Sequence, residues 1–186
     1  MTKKHSLNLQ KNASNRKKQS GFGLIEIVVV VAIIGILAAF AGPRISNAIT
    51  NSKAEAQAEM LEQVLMDWDT KWRQRPYTGF DNDTAIAAEI VPPSMVVGTA
   101  IWNTWDLAMT FQPGTLTGGM TDGAKEIISP TPPEACIVFS QSMGDFVDEL
   151  VVGTTTVKAV GGTITDATLI TACDVTANIN ITLRKG

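Results

Sequence analysis

From Phe22 to Ala41 the chain reads FGLIEIVVVVAIIGILAAFA, twenty residues whose only charge is Glu26. At about 1.5 Å per residue such a run makes a helix roughly 30 Å long, the thickness of a bilayer core, and it is apolar on every face. Gly42-Pro43 interrupts it, and because proline removes a backbone donor and clashes with the preceding turn, a kink is expected there. Further on, Ala54, Ala58, Leu61, Leu65, Trp68 and Trp72 recur at spacings of four and three, which draws one apolar stripe, while Glu55, Glu59 and Glu62 mark another face. Lys71, Arg73 and Arg75 suit the negative end of a helix dipole, and Pro76 is a stop signal. The pattern predicts one long helix of about fifty residues, membrane-spanning over 22–42 and amphipathic over 43–75.

After Pro76 the sequence changes to Gly, Thr, Pro and Asp with short apolar runs, of which Leu107–Phe111, Val147–Val152 and Ile179–Leu183 read as strands. Pro133 to Met143 reads as a short helix, opened by proline and closed by Gly144. Gly153-Thr154 and Gly161-Gly162 look like hairpin or loop tips. The expected class is α+β: the long helix packed, through the stripe that holds Trp68 and Trp72, on a small antiparallel sheet formed by residues 76–186.

Glu26 stands out against its surroundings. An acid in mid-membrane costs about 2.5–3.5 kcal/mol, less near a helix end, and marks a functional site with a partner to be named. Ordinary secretory signals have a shorter apolar run, a small-residue cleavage site after it, and no carboxylate near its start.

Charge sharpens this picture. Lys3, Lys4, Lys11, Arg16, Lys17 and Lys18 stand in residues 1–21 with no acid, so the remainder holds nine bases against all eighteen acids. A basic head followed at once by an apolar span, and without interleaved aromatics, fits retention on the cytoplasmic side of a membrane better than nucleic-acid binding. His5, the only histidine, lies in that head, which leaves no imidazole downstream for general-base or metal chemistry. Ser140 and Ser142 have no nucleophile-elbow glycines around them, and no phosphate-binding loop occurs. Cys136 and Cys173 are too far apart for a zinc or redox motif; a disulfide in an oxidising compartment is the better reading, two buried thiols the alternative. Three weaker candidates remain: Asp81-Asn82-Asp83 as calcium ligands without an EF-hand's glycine and glutamate, Tyr77, Trp102 and Trp105 as an aromatic surface or as core, and the glycosylation triplets at Asn82 and Asn180.

Gly21-Phe22-Gly23-Leu24-Ile25-Glu26, followed by the apolar run, closely resembles the amino-terminal signature of type IV pilins and pseudopilins. The resemblance implies a cytoplasmic leader over 1–21, cleaved after Gly21 by a prepilin peptidase, and N-methylation of the new terminus, Phe22. It implies an assembly role for Glu26, paired with the Phe22 amine of a neighbouring subunit to fix register, and a kinked helix at Gly42 and Pro43. Cys136 and Cys173 resemble the pair that closes the C-terminal loop of this family, so that 136–173 is a closed region. The long leader and the stretch from Pro133 to Leu183 look like type IVb pilins, including those of thin conjugative pili, whereas a terminal phenylalanine looks more like type IVa.

On this resemblance the chain is a non-enzymatic structural subunit, most simply the major pilin, of a surface filament for adhesion, motility, aggregation or conjugative DNA transfer. The alternatives are a secretion pseudopilin, a minor pilin, or a membrane-tethered extracytoplasmic enzyme. Implied partners are copies of itself, the prepilin peptidase, the pilus assembly platform and its ATPases, the inner membrane before assembly, and a host or recipient cell surface. No cofactor, metal or nucleic acid is expected. The precursor would sit in the inner membrane with its leader in the cytoplasm, and the assembled subunit outside the cell.

Overall fold

A computed structural model describes residues 23–73, 75–119 and 123–186, with the side chains of 40–43 outside that description. In chain order the elements are α1 (Leu24–Lys71), α2 (Asn82–Ala87), a short 3-10 turn (Pro93–Met95), β1 (Val96–Val97), β2 (Ala100–Trp102), β3 (Ala108–Gly114) and β4 (Ala124–Thr131). They continue with α3 (Pro133–Met143), β5 (Glu149–Val152), β6 (Thr155–Lys158), α4 (Asp166–Cys173) and β7 (Ile179–Lys185). The chain divides into two compact units, Met1–Gly42 and Pro43–Gly186. The spine expected over 43–75 and the domain expected over 76–186 therefore belong to one unit.

Within that second unit the stripe predicts the packing. Ala54, Ala58, Leu61, Leu65 and Trp68 are all buried, Val64 joins them, and Glu55 and Glu59 face solvent. Trp68 is the centre: the Phe80 ring stacks on it at 4.0 Å, and Tyr77 and Phe111 approach at 5.9 and 6.0 Å. That packing also explains where the helix stops. α1 ends at Lys71, short of the expected Arg75, because the chain must turn back at once to bring Tyr77 and Phe80 over Trp68, and Trp72 leaves the helix to pack its ring against Phe80. A helix continued to Arg75 would carry these rings about 6 Å further along the axis.

Among the described residues seven antiparallel strands form one sheet in the order β1-β2-β3-β4-β7-β5-β6. The three strands expected from apolar runs appear as β3, β5 and β7, and α3 runs over Pro133–Met143 as expected. β5 and β6 turn through Gly153, whose φ of 61° is the left-handed region where glycine has no Cβ penalty. β4, which pairs with β3 and β7, was hidden by its composition of AKEIISPT. Pro130 is tolerated there because the pairing of β4 with β3 stops at Ile128, and the Pro130 carbonyl accepts from Asn103 Nδ2 at 2.6 Å. One core takes in α1, the inner face of the sheet, α3 and α4.

Cys136, near the start of α3, and Cys173, the last residue of α4, form a disulfide across a sequence separation of 37. Both lie in the core, and with Leu169 they hold α4 in place, a helix that its Thr- and Ile-rich sequence disguised. Converting Cys136 and Cys173 together to serine is expected to lower the unfolding free energy by up to about 4 kcal/mol, as closure of such a loop implies, with native strain reducing the figure. Chemical denaturation of the two proteins, with thiol titration of the unreduced wild type finding no free sulfhydryl, checks it.

Candidate functional site

Gly21 and Phe22, the expected cleavage and methylation residues, lie outside the described residues, as does the leader over 1–21. α1 begins just after Gly23, and Glu26 sits in its first turn. The Gly23 N–H donates to the Glu26 carboxylate at 3.2 Å, and the Glu26 N–H donates to the Gly23 carbonyl at 2.9 Å. This reciprocal pair satisfies one of the orphan donors of the helix start and places negative charge at the positive end of the dipole. Among the described residues Glu26 has no cationic partner.

Around Glu26 the helix is bare. Leu24 is 82% exposed, and Ile27, Val31, Ile34 and Leu37 are each more than half exposed, so among the described residues no face of this limb is covered. A helix apolar all round needs lipid or other helices about it. Among the described residues no single helix is long and apolar enough to cross a membrane; the apolar run reaches that length only when Leu24–Ala39 and Arg44–Lys71 are taken together. The kink expected at Gly42 and Pro43 falls on the boundary between the two units and on side chains outside the description.

In the unit that starts at Pro43, the exposed side of α1 carries a shallow apolar groove of about 610 Å³ lined by Ile45, Ala48, Ile49, Ser52, Lys53, Ala56 and Thr104. Its far wall is rigid for reasons traceable to single side chains. Gln57 is fully buried on α1 and its Oε1 accepts the Thr104 N–H at 2.8 Å, while the Thr104 hydroxyl donates to the Lys53 carbonyl at 3.2 Å. Asn103 Oδ1 accepts the Trp105 and Leu107 N–H groups, each at 3.0 Å, closing the turn.

Residues 16–42 match the profile of the prokaryotic N-terminal methylation motif, and residues 51–184 match the family described as PilS N terminal. The type IV major fimbrial protein FimA of Dichelobacter nodosus is 30% identical over 136 residues, covering 73% of this chain and 76% of FimA. The chain belongs to the type IV pilins. Two solved pilins share its fold: the type IV b pilin of Salmonella typhi (TM-score 0.56, 14% identical, 70% of this chain and 98% of that one) and TcpA, a type IV pilin of the Vibrio cholerae El Tor biotype (TM-score 0.52, 18% identical, 74% and 99%). This pilin is therefore a structural filament subunit rather than an enzyme, and it carries a prepilin-type amino terminus.

The remaining candidates have structural duties in the pilin. Asp81 caps α2, its Oδ1 accepting the Thr84 N–H at 2.8 Å and the Thr84 hydroxyl at 2.7 Å. The Asn82 amide bridges to β3, donating to the Met109 carbonyl at 2.9 Å and accepting the Phe111 N–H at 2.7 Å, which occupies the group a glycan would need. Asn180 and Thr182 sit on β7, between β4 and β5 in the sheet. Tyr77 is core, Trp105 packs edge-on against Phe139 at 5.8 Å, and Trp102 remains partly exposed on β2.

Two polar groups escaped sequence reasoning. Lys125 is fully buried and pairs with Asp69 of α1. On the opposite face of the sheet Arg184 of β7 lies between Glu126 of β4 and Glu149 of β5, ion-paired to the first and 3.1 Å from the second. Gln112 Nε2 and the Thr117 hydroxyl donate to the outer carboxylate oxygens, each at 2.5 Å. Burial alone would lower the Arg184 pKa, but hydrogen bonds and charge from both glutamates outweigh it and raise the guanidinium above its ordinary value. Gly114 is required beside this row, since a Cβ there would meet Glu126 Cβ at 2.7 Å.

The Thr84 N–H and hydroxyl bonds hold the Asp81 carboxyl below its ordinary value of 3.8, burial opposing only slightly. A depressed folded pKa means that the cap is fully present above that ordinary value and is lost as pH falls through the lower folded one. An NMR pH series should show Asp81 titrating below 3.8 with the Thr84 amide following it; titration at or above the ordinary value would contradict the cap.

Proposed function

We propose that this pilin is the major subunit of a type IVb-like pilus, polymerising through α1 with its Pro43–Gly186 unit forming the filament surface. The precursor sits in the inner membrane, its leader in the cytoplasm; the peptidase cuts after Gly21, Phe22 becomes the N-methylated terminus, and the assembly platform and its ATPases extrude the subunit. The observation that carries this reading is the bare apolar limb with Glu26 as its one charge. Lipid surrounds the limb before assembly, and limbs of other copies replace lipid afterwards, so that the same surface is satisfied in both states. In the filament the buried Glu26 carboxylate needs a cation, and the methylated Phe22 amine of a neighbour supplies one. A tethered enzyme has no need of a removable leader, and a minor pilin or pseudopilin would not dominate sheared fibres.

Intact-mass and N-terminal sequencing of filaments sheared from cells should find, as the dominant species, chains starting at N-methylated Phe22 with one disulfide. Full-length chains held in the membrane would overturn the reading. Glu26→Ala should be processed like the wild type yet yield about tenfold fewer filaments or none, as loss of a buried charge partner implies. Immunoblots for cleavage and electron microscopy for fibres separate the two effects.

A further inference from the structure

Arg44 is exposed at the N-terminal end of the α1 groove, immediately before Ile45, and among the described residues it has no anionic partner. Glu26 is its mirror image: the one acid of the apolar limb, at that limb's starting end, with Oε2 held by Gly23 and Oε1 accepting no hydrogen bond among the described residues. One chain thus carries an apolar rod headed by an acid and an apolar groove headed by a base. We propose that the groove beside Thr104 receives the Leu24–Ala39 limb of a second copy of this pilin, with Glu26 of one copy paired to Arg44 of the other.

The inference rests on the filament reading and names the contact that it requires. When Glu26 is set level with Arg44 and the two helices run parallel, the four-residue rows match. Val30 then comes level with Ala48, and Ile34 with Ser52. Ala48, Ser52 and Ala56 are small and leave a trough along the helix, and the branched side chains of Val30 and Ile34 are the shape that fills one. The reverse docking would set Glu26 beside Lys53, but a filament repeats one heterologous contact in one direction and keeps its helices parallel. The immobilised Thr104 turn gives the trough a wall that does not need ordering on binding. A pair between Glu26 and Arg44 is compatible with the Phe22 amine, because a carboxylate accepts at both oxygens.

The test uses the full chain assembled on cells. In the Val30→Cys, Ala48→Cys double variant, mild oxidation of sheared filaments should give a ladder of dimers, trimers and higher species on a non-reducing gel. The Val30→Cys, Glu55→Cys control should give none. Independently, Arg44→Glu should cut filament yield about tenfold with leader cleavage unchanged, and Arg44→Lys, which keeps the cation and leaves Glu26 to the Phe22 amine, should keep most of it. Normal filaments without a ladder, or normal yield from Arg44→Glu, would overturn the docking and leave the filament reading standing. Absence of filaments from the unsubstituted chain defeats both.

Discussion

Burial of one face of α1 is the interaction on which the Pro43–Gly186 unit depends. Trp68 supplies its largest side chain, and the rings of Tyr77, Phe80 and Phe111 gather on it. The helix ends where Tyr77 and Phe80 can fold back over the ring, β3 brings Phe111 to it, and the turn before β3 is tied to the same helix through Gln57. Removing an aromatic of this size from a packed core costs about 3–5 kcal/mol, a large share of the stability of a domain this small. The bare limb in the first unit is the converse case. It has the same helical chemistry with no sheet to cover it, and its stability must come from whatever surrounds it.

Polar residues decide which of many apolar arrangements is adopted. On β4, successive side chains point to opposite faces, and Lys125 and Glu126 use that alternation: one reaches Asp69 on α1, the other Arg184 on β7. A slip of one residue in β4 would bury each charge on the wrong side without a partner, and such a mispairing costs far more than the lost apolar contact. The two ion pairs thus act as a register key on the two faces of a central strand. Glu149 shares Arg184 from the other side and extends the key to β5.

How much of this was legible in the sequence depends on whether a residue's partner lies near it in the chain. The α1 stripe, the strands around Phe111, Val152 and Leu183, and α3 were readable because their pattern repeats locally. For the cysteine pair the sequence favoured a disulfide over two buried thiols, and its loop-closing role came from the pilin resemblance. β4 and α4 were not, because what stabilises them is distant: Asp69 is 56 residues from Lys125, and Arg184 is 58 from Glu126. Gln57 is instructive, since its place beside Ala54, Ala58 and Leu61 put it on the buried face, and only its polarity concealed it. The end of α1 was misjudged because Pro76 is a strong local stop, whereas the decisive event is the return of Phe80 to Trp68. Around Glu26, the pattern pointed to a site, and among the described residues its carboxylate meets only the Gly23 N–H.

The disulfide has a mechanical meaning for a subunit that carries load along a filament. Tension applied between the helix and the rest of the domain must first break the hydrogen bonds and ion pairs that tie α1 to β4 and to the Thr104 turn. Past that point an unlinked chain would pay out its whole contour. Here the segment between Cys136 and Cys173, with its sequence separation of 37, stays closed, which withholds on the order of 120 Å of extended chain. A strained subunit can therefore lengthen only through its N-terminal portion and the last strand, while α3, β5, β6 and α4 remain a knot of fixed size within the fibre.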